Sequence, residues 1–312
     1  DECSMVNEEL MNKIIEITDS SNVKIIFMGD SAQLPPVGED HSPSFDVAGK
    51  VRLDHIVRQT HLNPILALSE QIRTFINTVQ YPFPVVESSF TGDMGVIRAK
   101  SQNQWFAWMR HYFTKDEFEK DNDSFRVLTW TNSRVAQINE MIRQEIYGDT
   151  PTPFIKDERV IVTSPILGEE NKLTGAREVL IKTDDECLVV SITPSEVDGI
   201  ASWRVLLQNE EGETATAVIY QKASEQEYRQ RVNTLKQQAL DDRKLWYLYY
   251  NFINEFHSLQ SVYCMTVHRS QGSTFKHVFV DVSEILRSRN TVESYKMLYV
   301  AVTRSTHSVM LY

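Results

Sequence analysis

The sequence predicts an α/β protein built on a largely parallel sheet. Three observations predict it. Apolar runs of strand length recur along the chain: VKIIFM at 23–28, FRVLTW at 125–130, SVYCMTV at 261–267 and HVFVDV at 277–282. Such runs are apolar on both faces, as a strand buried inside a parallel sheet requires. Stretches with helical spacing alternate with these strands, the order that α/β layers produce.

The elements follow in order. Over 7–19, Leu10, Met11, Ile14 and Ile15 share one helical face. The run 23–28 then reads as a central parallel strand that stops at Gly29-Asp30. The strand 125–130 ends in Thr131-Asn132-Ser133; Val135, Ile138, Ile142 and Ile146 continue at helical spacing, and Gly148 supplies a stop. From 151 to 255 the pattern changes to short β-rich runs broken by turn and acidic residues, which predicts a small antiparallel barrel or sandwich. A polar helix closes that insert, its second half dense in aromatics. After the strands 261–267 and 277–282, a helix at about 293–305 and a short strand, SVMLY, end the chain.

At 312 residues the chain is long enough for two or three domains, and 41% hydrophobic with 24% charged residues is a globular composition. No apolar run approaches the roughly 18 residues of a membrane span, and no secretory leader is evident. Cys3, Cys187 and Cys264 are scattered and form no Cys-x-x-Cys, so neither a disulfide framework nor a zinc site is indicated and a reducing cytoplasm is expected. The net charge of −11 argues against a general polyanion-binding surface. A nucleic-acid contact would have to be a narrow groove of local basic, polar and aromatic groups.

In open parallel sheets ligands sit beyond the carboxyl ends of strands. Polar clusters follow three of the predicted strands: GDSAQLPPVGE after 23–28, TNS after 125–130 and HRSQGST after 261–267. One such loop is only a loop; three on one edge predict a site. Asp30 could cap a turn with Gln33 solvated, or both could face a ligand; Pro35-Pro36 stiffens their loop. Arg58 and Arg304 could each make a surface ion pair, or could stabilise charge on a transferring phosphoryl group. Thr266, His268 and Gln271, with Gly272 allowing close backbone approach, suit a phosphodiester backbone, although a lone histidine after a strand is more often structural. The opening Asp1-Glu2 reads either as a metal-and-water site or as two solvated charges at a terminus.

Taken together and in order, these stretches resemble the superfamily 1 helicases, in particular the RecD/Dda-like 5′→3′ branch. DECSMV resembles the Walker B segment, GDSAQLPPV motif III, LDHIVRQ the arginine-bearing segment after it, MTVHRSQGSTF motif V and LYVAVTR motif VI, while FRVLTWTNSRVAQIN resembles the opening strand and helix of the second motor domain. The resemblance implies two RecA-like parallel-sheet motor domains, the first incomplete, with a small SH3-like β insert in the second. Residues 1–93 would be the C-terminal part of the first motor domain, 94–150 and 261–312 the second, and 151–260 the insert with its return helix. The insert is also what selects the 5′→3′ branch, by analogy.

Residue by residue, the resemblance implies ATP and Mg²⁺ as cofactors. Asp1 would hold Mg²⁺ and Glu2 would orient or deprotonate the attacking water. Gln33 would sense the γ-phosphate, Arg58 and Arg304 would offset transition-state charge, and Gly272 would adjoin the nucleotide. Pro35, Thr131, Asn132, Thr266, His268 and Ser270 would contact single-stranded DNA. Partners would be single strands and duplex junctions, with single-strand-binding or replication proteins beside them, and a monomer that involves no membrane. Arg269 stands where motif V commonly has lysine. No G-x-x-x-x-G-K-[ST] phosphate loop occurs in the 312 residues. The chain is therefore expected to be a helicase portion, inactive by itself, that begins at Walker B. A non-enzymatic module binding single strands or a replication protein, and an RNA helicase, are the competing readings.

Overall fold

The computed structural model of the chain describes residues 1–21, 23–53, 63–78, 86–92, 94–170 and 177–312. The chain divides into two compact units, one of residues 1–146 and 263–312 and one of residues 147–262.

The first unit opens with helix α1 (Glu8–Ser21). Asn7 accepts a hydrogen bond from the Leu10 N–H at 2.8 Å, and Glu8 and Glu9 complement the helix dipole in the first turn. Of the expected apolar face only Met11 is buried; Leu10 and Ile15 are exposed. The run 23–28 departs from its expectation as a central parallel strand. It joins no ladder among the described residues, and Ile26 is 83% exposed. Apolar character alone does not make a strand: a neighbouring backbone must complete its ladder, and among the described residues none pairs with this run as a strand.

Helix α2 (Pro64–Thr78) buries Ile65, Leu68 and Ile72, and the Asn63 side chain caps its start by accepting from the Ile65 N–H at 3.0 Å. Strands β1 (Ser89–Thr91) and β2 (Met94–Arg98) form an antiparallel hairpin. Helices α3 (Gln102–Phe113) and α4 (Asp116–Lys120) follow, then strand β3 (Phe125–Thr129), buried at every residue, and helix α5 (Asn132–Tyr147). On α5, Val135, Ile138 and Ile142 are buried as their spacing predicts, and Gly148 lies beyond the end at φ +66°.

The second unit holds strands β4 (Arg159–Val162), β5 (Ile166–Glu170), β6 (Arg177–Ile181), β7 (Glu186–Val197), β8 (Ile200–Asn209) and β9 (Thr214–Tyr220). Asp198-Gly199, at φ 50° and 77°, closes the β7–β8 hairpin, the residue pair that a tight turn with two left-handed positions favours. The expected long polar helix is two, α6 (Glu225–Asp241) and α7 (Trp246–Glu255). Asp242 divides them because its carboxylate takes the Lys244 N–H at 3.0 Å, competing with the helical ladder. Strand β10 (Leu259–Ser261) completes a five-stranded sheet in the order β10-β4-β7-β8-β9, antiparallel throughout, with β5 and β6 as a separate pair. Val160, Val189, Val205, Leu207 and Ala217 form its core, and Leu235, Phe252 and Phe256 of the helical return pack with Val197 and Val218.

The chain then returns to the first unit through β11 (Cys264–Thr266), β12 (Phe275–Val280), α8 (Val282–Ile285), α9 (Thr291–Thr303) and β13 (Ser305–Leu311). The predicted strand 261–267 is thus divided between two sheets. The first unit's sheet runs β1-β2-β13-β12-β3-β11, parallel from β2 to β11. Trp105 of α3, fully buried, donates its indole N–H to the Met310 carbonyl at 3.1 Å, and Phe113, Phe118, Phe125, Tyr263 and Phe279 pack in edge and tilted contacts beside it. This aromatic core fixes α3 and α4 on the sheet. No helix among the described residues is long and apolar enough to cross a membrane.

Candidate nucleotide and nucleic-acid sites

Strand register brings three loops to one edge of the parallel sheet. Thr266 of β11 lies opposite Thr129 of β3, the Val267 N–H donates to the Thr129 carbonyl at 2.9 Å, and the Asp281 N–H donates to the Leu128 carbonyl at 3.0 Å. The loops after β3, β11 and β12 therefore leave side by side. The sequence anticipates the first two. The third expected member, the GDSAQ loop, follows no strand of this sheet, because 23–28 joins no ladder among the described residues.

At the β3 loop the Thr131 hydroxyl donates to Glu284 Oε1 at 2.9 Å and its oxygen accepts from the Arg134 N–H at 3.3 Å. Asn132 is exposed at the start of α5. Arg134 Nε donates to the fully buried Asp281 at 2.8 Å, and Asp281 also caps α8 by accepting from the Glu284 N–H. A cleft of about 770 Å³ opens here, lined by Trp130, Thr131, Arg134, Asp281, Glu284 and Arg287 among others. Of these the sequence singles out Thr131 alone; the adjacency of β3 and β12 that gathers the rest is a tertiary fact.

In the β11 loop Thr266 is buried, its oxygen facing the Arg269 N–H at 3.4 Å. Ser270, expected at DNA, is fully buried and donates to the Val267 carbonyl at 2.8 Å, so its hydroxyl holds the turn together. His268 is half-buried; burial pushes its imidazole below the usual histidine range, with Glu293 pulling the other way. Gly272 is exposed at φ +80°, a conformation other residues rarely adopt. Both amide atoms of Gln271 are buried without a hydrogen-bond partner. The edge strand β11 is itself held by a side chain: Asn139 of α5 donates to the Cys264 carbonyl at 3.0 Å and accepts from the Cys264 N–H at 2.8 Å.

The other expected site begins at Asp1 and Glu2. The Cys3 N–H donates to the Met28 carbonyl at 2.9 Å, which sets the N-terminal turn against the entry to the GDSAQ loop. Gly29 permits this approach; a Cβ there would lie 2.8 Å from Cys3 Sγ. Glu2 sits at φ 50°, and its N–H donates to Asp1 Oδ1 at 2.9 Å. Glu2 Oε2 and Gln33 Oε1 are both buried with no hydrogen-bond partner. Orphaned buried oxygens of this kind fit a site completed by water or another ligand.

Asp30 caps its own turn by accepting from the Ala32 N–H at 3.0 Å. It is also gripped by Arg73 of α2 through both terminal guanidinium nitrogens, at 2.9 and 3.2 Å, and by the Tyr299 hydroxyl of α9 at 2.7 Å. Pro35 is half-buried in the same loop, with Pro36 buried. Five residues beyond Tyr299, Arg304 is buried, donating to the Val300 carbonyl at 3.3 Å and the Ser273 carbonyl at 3.2 Å. It thereby joins the end of α9 to the loop carrying Gly272. Arg58 lies outside the described residues. The described residues contain no group of three or more His, Cys, Asp or Glu placed to hold a metal ion. Two carboxylates such as Asp1 and Glu2 nevertheless fit Mg²⁺, which proteins commonly hold by one or two carboxylates with water and substrate phosphates completing the shell.

Comparison with known proteins gives two partial family matches. Residues 1–78 match the AAA domain, and residues 261–312 match the UvrD-like helicase C-terminal domain. An uncharacterized protein of Acanthamoeba polyphaga mimivirus is 24% identical, over 98% of this chain and 72% of that protein. The crystal structure of Pif1 helicase from Candida albicans matches with a TM-score of 0.50 and 16% identity, over 100% of this chain and 70% of that one. A Pif1 helicase from Bacteroides, crystallised with ADP-AlF3 and ssDNA, matches with a TM-score of 0.49 and 15% identity, over 99% of this chain and 69% of that one. The mixed α/β fold with its parallel sheet matches the Candida Pif1 fold, and the match at 261–312 supports the resemblance to helicases.

Proposed function

We propose that this chain is the Walker B to motif VI portion of an ATP-dependent 5′→3′ helicase that tracks single-stranded DNA. One observation carries the reading. The segment bearing the orphaned Glu2 and Gln33 oxygens is tied through Asp30 to α9, the helix that ends at Arg304. The residues read here as hydrolytic carboxylates, γ-phosphate sensor and arginine lie on segments that these contacts connect, which supports the reading.

In this reading Asp1 holds Mg²⁺ through water, and Glu2 orients the attacking water from its buried oxygen. When bound, the cation offsets charge on the β- and γ-phosphates. Gln33 reports the γ-phosphate to the stiff Pro35-Pro36 loop. Arg58 and Arg304 offset transition-state charge, and loss of such an arginine costs about 10³-fold or more in turnover. Thr131, Asn132, His268 and the backbone at Gly272 meet the strand at the carboxyl edge of the sheet. Thr266 and Ser270 support that loop from within. The 5′→3′ polarity rests on analogy with the small β insert, and a cytoplasmic setting suits the three free cysteines.

No phosphate loop of the form G-x-x-x-x-G-K-[ST] occurs in the 312 residues, so that cradle would come from other sequence. The same absence supports the second reading, a single-strand-binding module without turnover. A helicase that contains this sequence together with a phosphate loop tests the first. Arg304→Ala should abolish unwinding while nucleotide binding persists. Near-normal unwinding by the variant would overturn the assigned role. The 312-residue chain alone should show no DNA-stimulated ATPase.

A further inference from the structure

We propose that the cleft beside Trp130 receives a nucleobase of the bound strand, so that the sheet edge grips bases as well as backbone. This rests on the single-strand-binding reading above and adds a subsite to it. The cleft of about 770 Å³ lies beyond the ends of β3 and β12, next to the exposed start of α5 at Asn132. A strand crossing Asn132 therefore passes its mouth.

The lining selects the ligand class. Two guanidinium groups, Arg134 and Arg287, face two carboxylates, Asp281 and Glu284, and the pairs are closed: Arg134 on Asp281 at 2.8 Å and Arg287 on Glu284 at 3.1 Å. Their charges cancel, so the cleft has no positive excess to hold a phosphate. Glu284 is only 14% exposed and already accepts from the Thr131 hydroxyl. What remains is a neutral, polar, partly aromatic cleft. Trp130 brings an indole side chain to the lining, and stacking on such a ring tolerates every base. Gln102, Gln137 and Glu284 offer amide and carboxylate groups to base edges. Arg287, whose side chain is 75% exposed, stands at the rim of the cleft.

The test uses the 312-residue chain and single-stranded oligonucleotides carrying one 5-iodouracil at successive positions. Irradiation of the complex should crosslink one position of the strand to Trp130, identified by peptide mapping. In a separate measurement on the unaltered protein, an abasic site at that position should weaken binding about 5- to 100-fold. Trp130→Ala should lose a similar factor and become insensitive to the abasic site. Binding with crosslinks only outside 130–137 and 281–287, and no abasic penalty, would overturn the base subsite and leave the strand-binding reading intact. Failure of the chain to bind any single strand would overturn both.

Discussion

Arg73 holds Asp30 in a two-point grip, Nη2 on Oδ1 at 2.9 Å and Nη1 on Oδ2 at 3.2 Å, across 43 residues of sequence. The Tyr299 hydroxyl closes the arrangement, donating to Asp30 Oδ2 at 2.7 Å while Arg73 Nη1 lies 3.2 Å from the same hydroxyl. Three elements therefore share one carboxylate: the GDSAQ loop, α2 and α9. A displacement of the loop that carries Gln33 must strain or break these contacts, which makes Asp30 the mechanical joint between Gln33 and the helix ending at Arg304.

Removing either donor should uncouple that joint. Arg73→Ala should cost about 1–2 kcal/mol, the range for a charge-assisted bond that is not fully buried. Tyr299→Phe should cost about 1 kcal/mol. Because both act on Asp30, the double variant should depart from additivity by 0.5 kcal/mol or more. Urea denaturation of the four proteins of the cycle measures it. Strict additivity would mean that the two contacts are independent.

The same joint has a pH signature. Burial first, and then the Asp30 carboxylate, push the Tyr299 phenol up to about 12. The unfolded phenol ionises near 10. The stability held by the neutral hydroxyl is therefore complete below about pH 10 and is lost as pH rises through 12. Groups that titrate equally in the wild type and in Tyr299→Phe cancel in their difference. The wild-type advantage in urea denaturation should thus be constant from pH 7 to about 9.5 and shrink above it. A constant difference up to pH 11.5 would contradict the placement of the hydroxyl against Asp30.

Much of the parallel sheet was legible because β3 and β12 are apolar on both faces, and the loops after β3 and β11 were legible because polar residues follow those strands abruptly. The run 23–28 has the same composition yet joins no ladder among the described residues, since composition reports what a strand could bury and not whether a neighbour is present. SVYCMTV was divided between two sheets for the related reason that one apolar run can serve two ladders. Arg73 and Tyr299 stood in helices as ordinary residues; their meeting at Asp30 spans 226 residues between the two donors. The Trp130 cleft depends on β3 lying beside β12, which no local pattern encodes. Ser270 was legible as polar, but not that its hydroxyl turns inward.

Asn139 was likewise invisible, lying in the polar part of α5, yet its side-chain amide completes the edge of β11. It substitutes for a strand neighbour by satisfying both backbone groups of Cys264. Asn139→Ala removes both of these buried hydrogen bonds, at about 1–2 kcal/mol each. A loss of about 2–4 kcal/mol by urea denaturation is expected. Amide hydrogen exchange should quicken at 264–270 before the rest of the sheet. Asn139→Asp keeps the acceptor for the Cys264 N–H but sets a carboxylate against the Cys264 carbonyl, and should be no better. Unchanged exchange at 264–270 in a destabilised Asn139→Ala protein would mean that this loop is held by other contacts.

His268 offers the most direct probe of the loop proposed to face the strand. Burial holds its imidazole below the usual range, so it is neutral at pH 7 and in the proposed reading would meet a strand as a hydrogen-bonding group and not as a cation. Its linked stability is present above the unfolded value near 6.5 and is lost as pH falls toward the folded one. A phosphate brought beside the ring would favour the charged form and raise the midpoint. Imidazole NMR resonances, assigned by comparison with His268→Gln, should titrate below 6.5 in the free chain. Saturation with single-stranded DNA should move the midpoint upward. His268→Gln should bind the strand with nearly the same salt dependence as the wild type at pH 7.5, because no counterion is released by a neutral ring. A midpoint that stays fixed when DNA binds would show that the imidazole does not face the backbone, and would leave strand contact in this loop to the chain around Gly272.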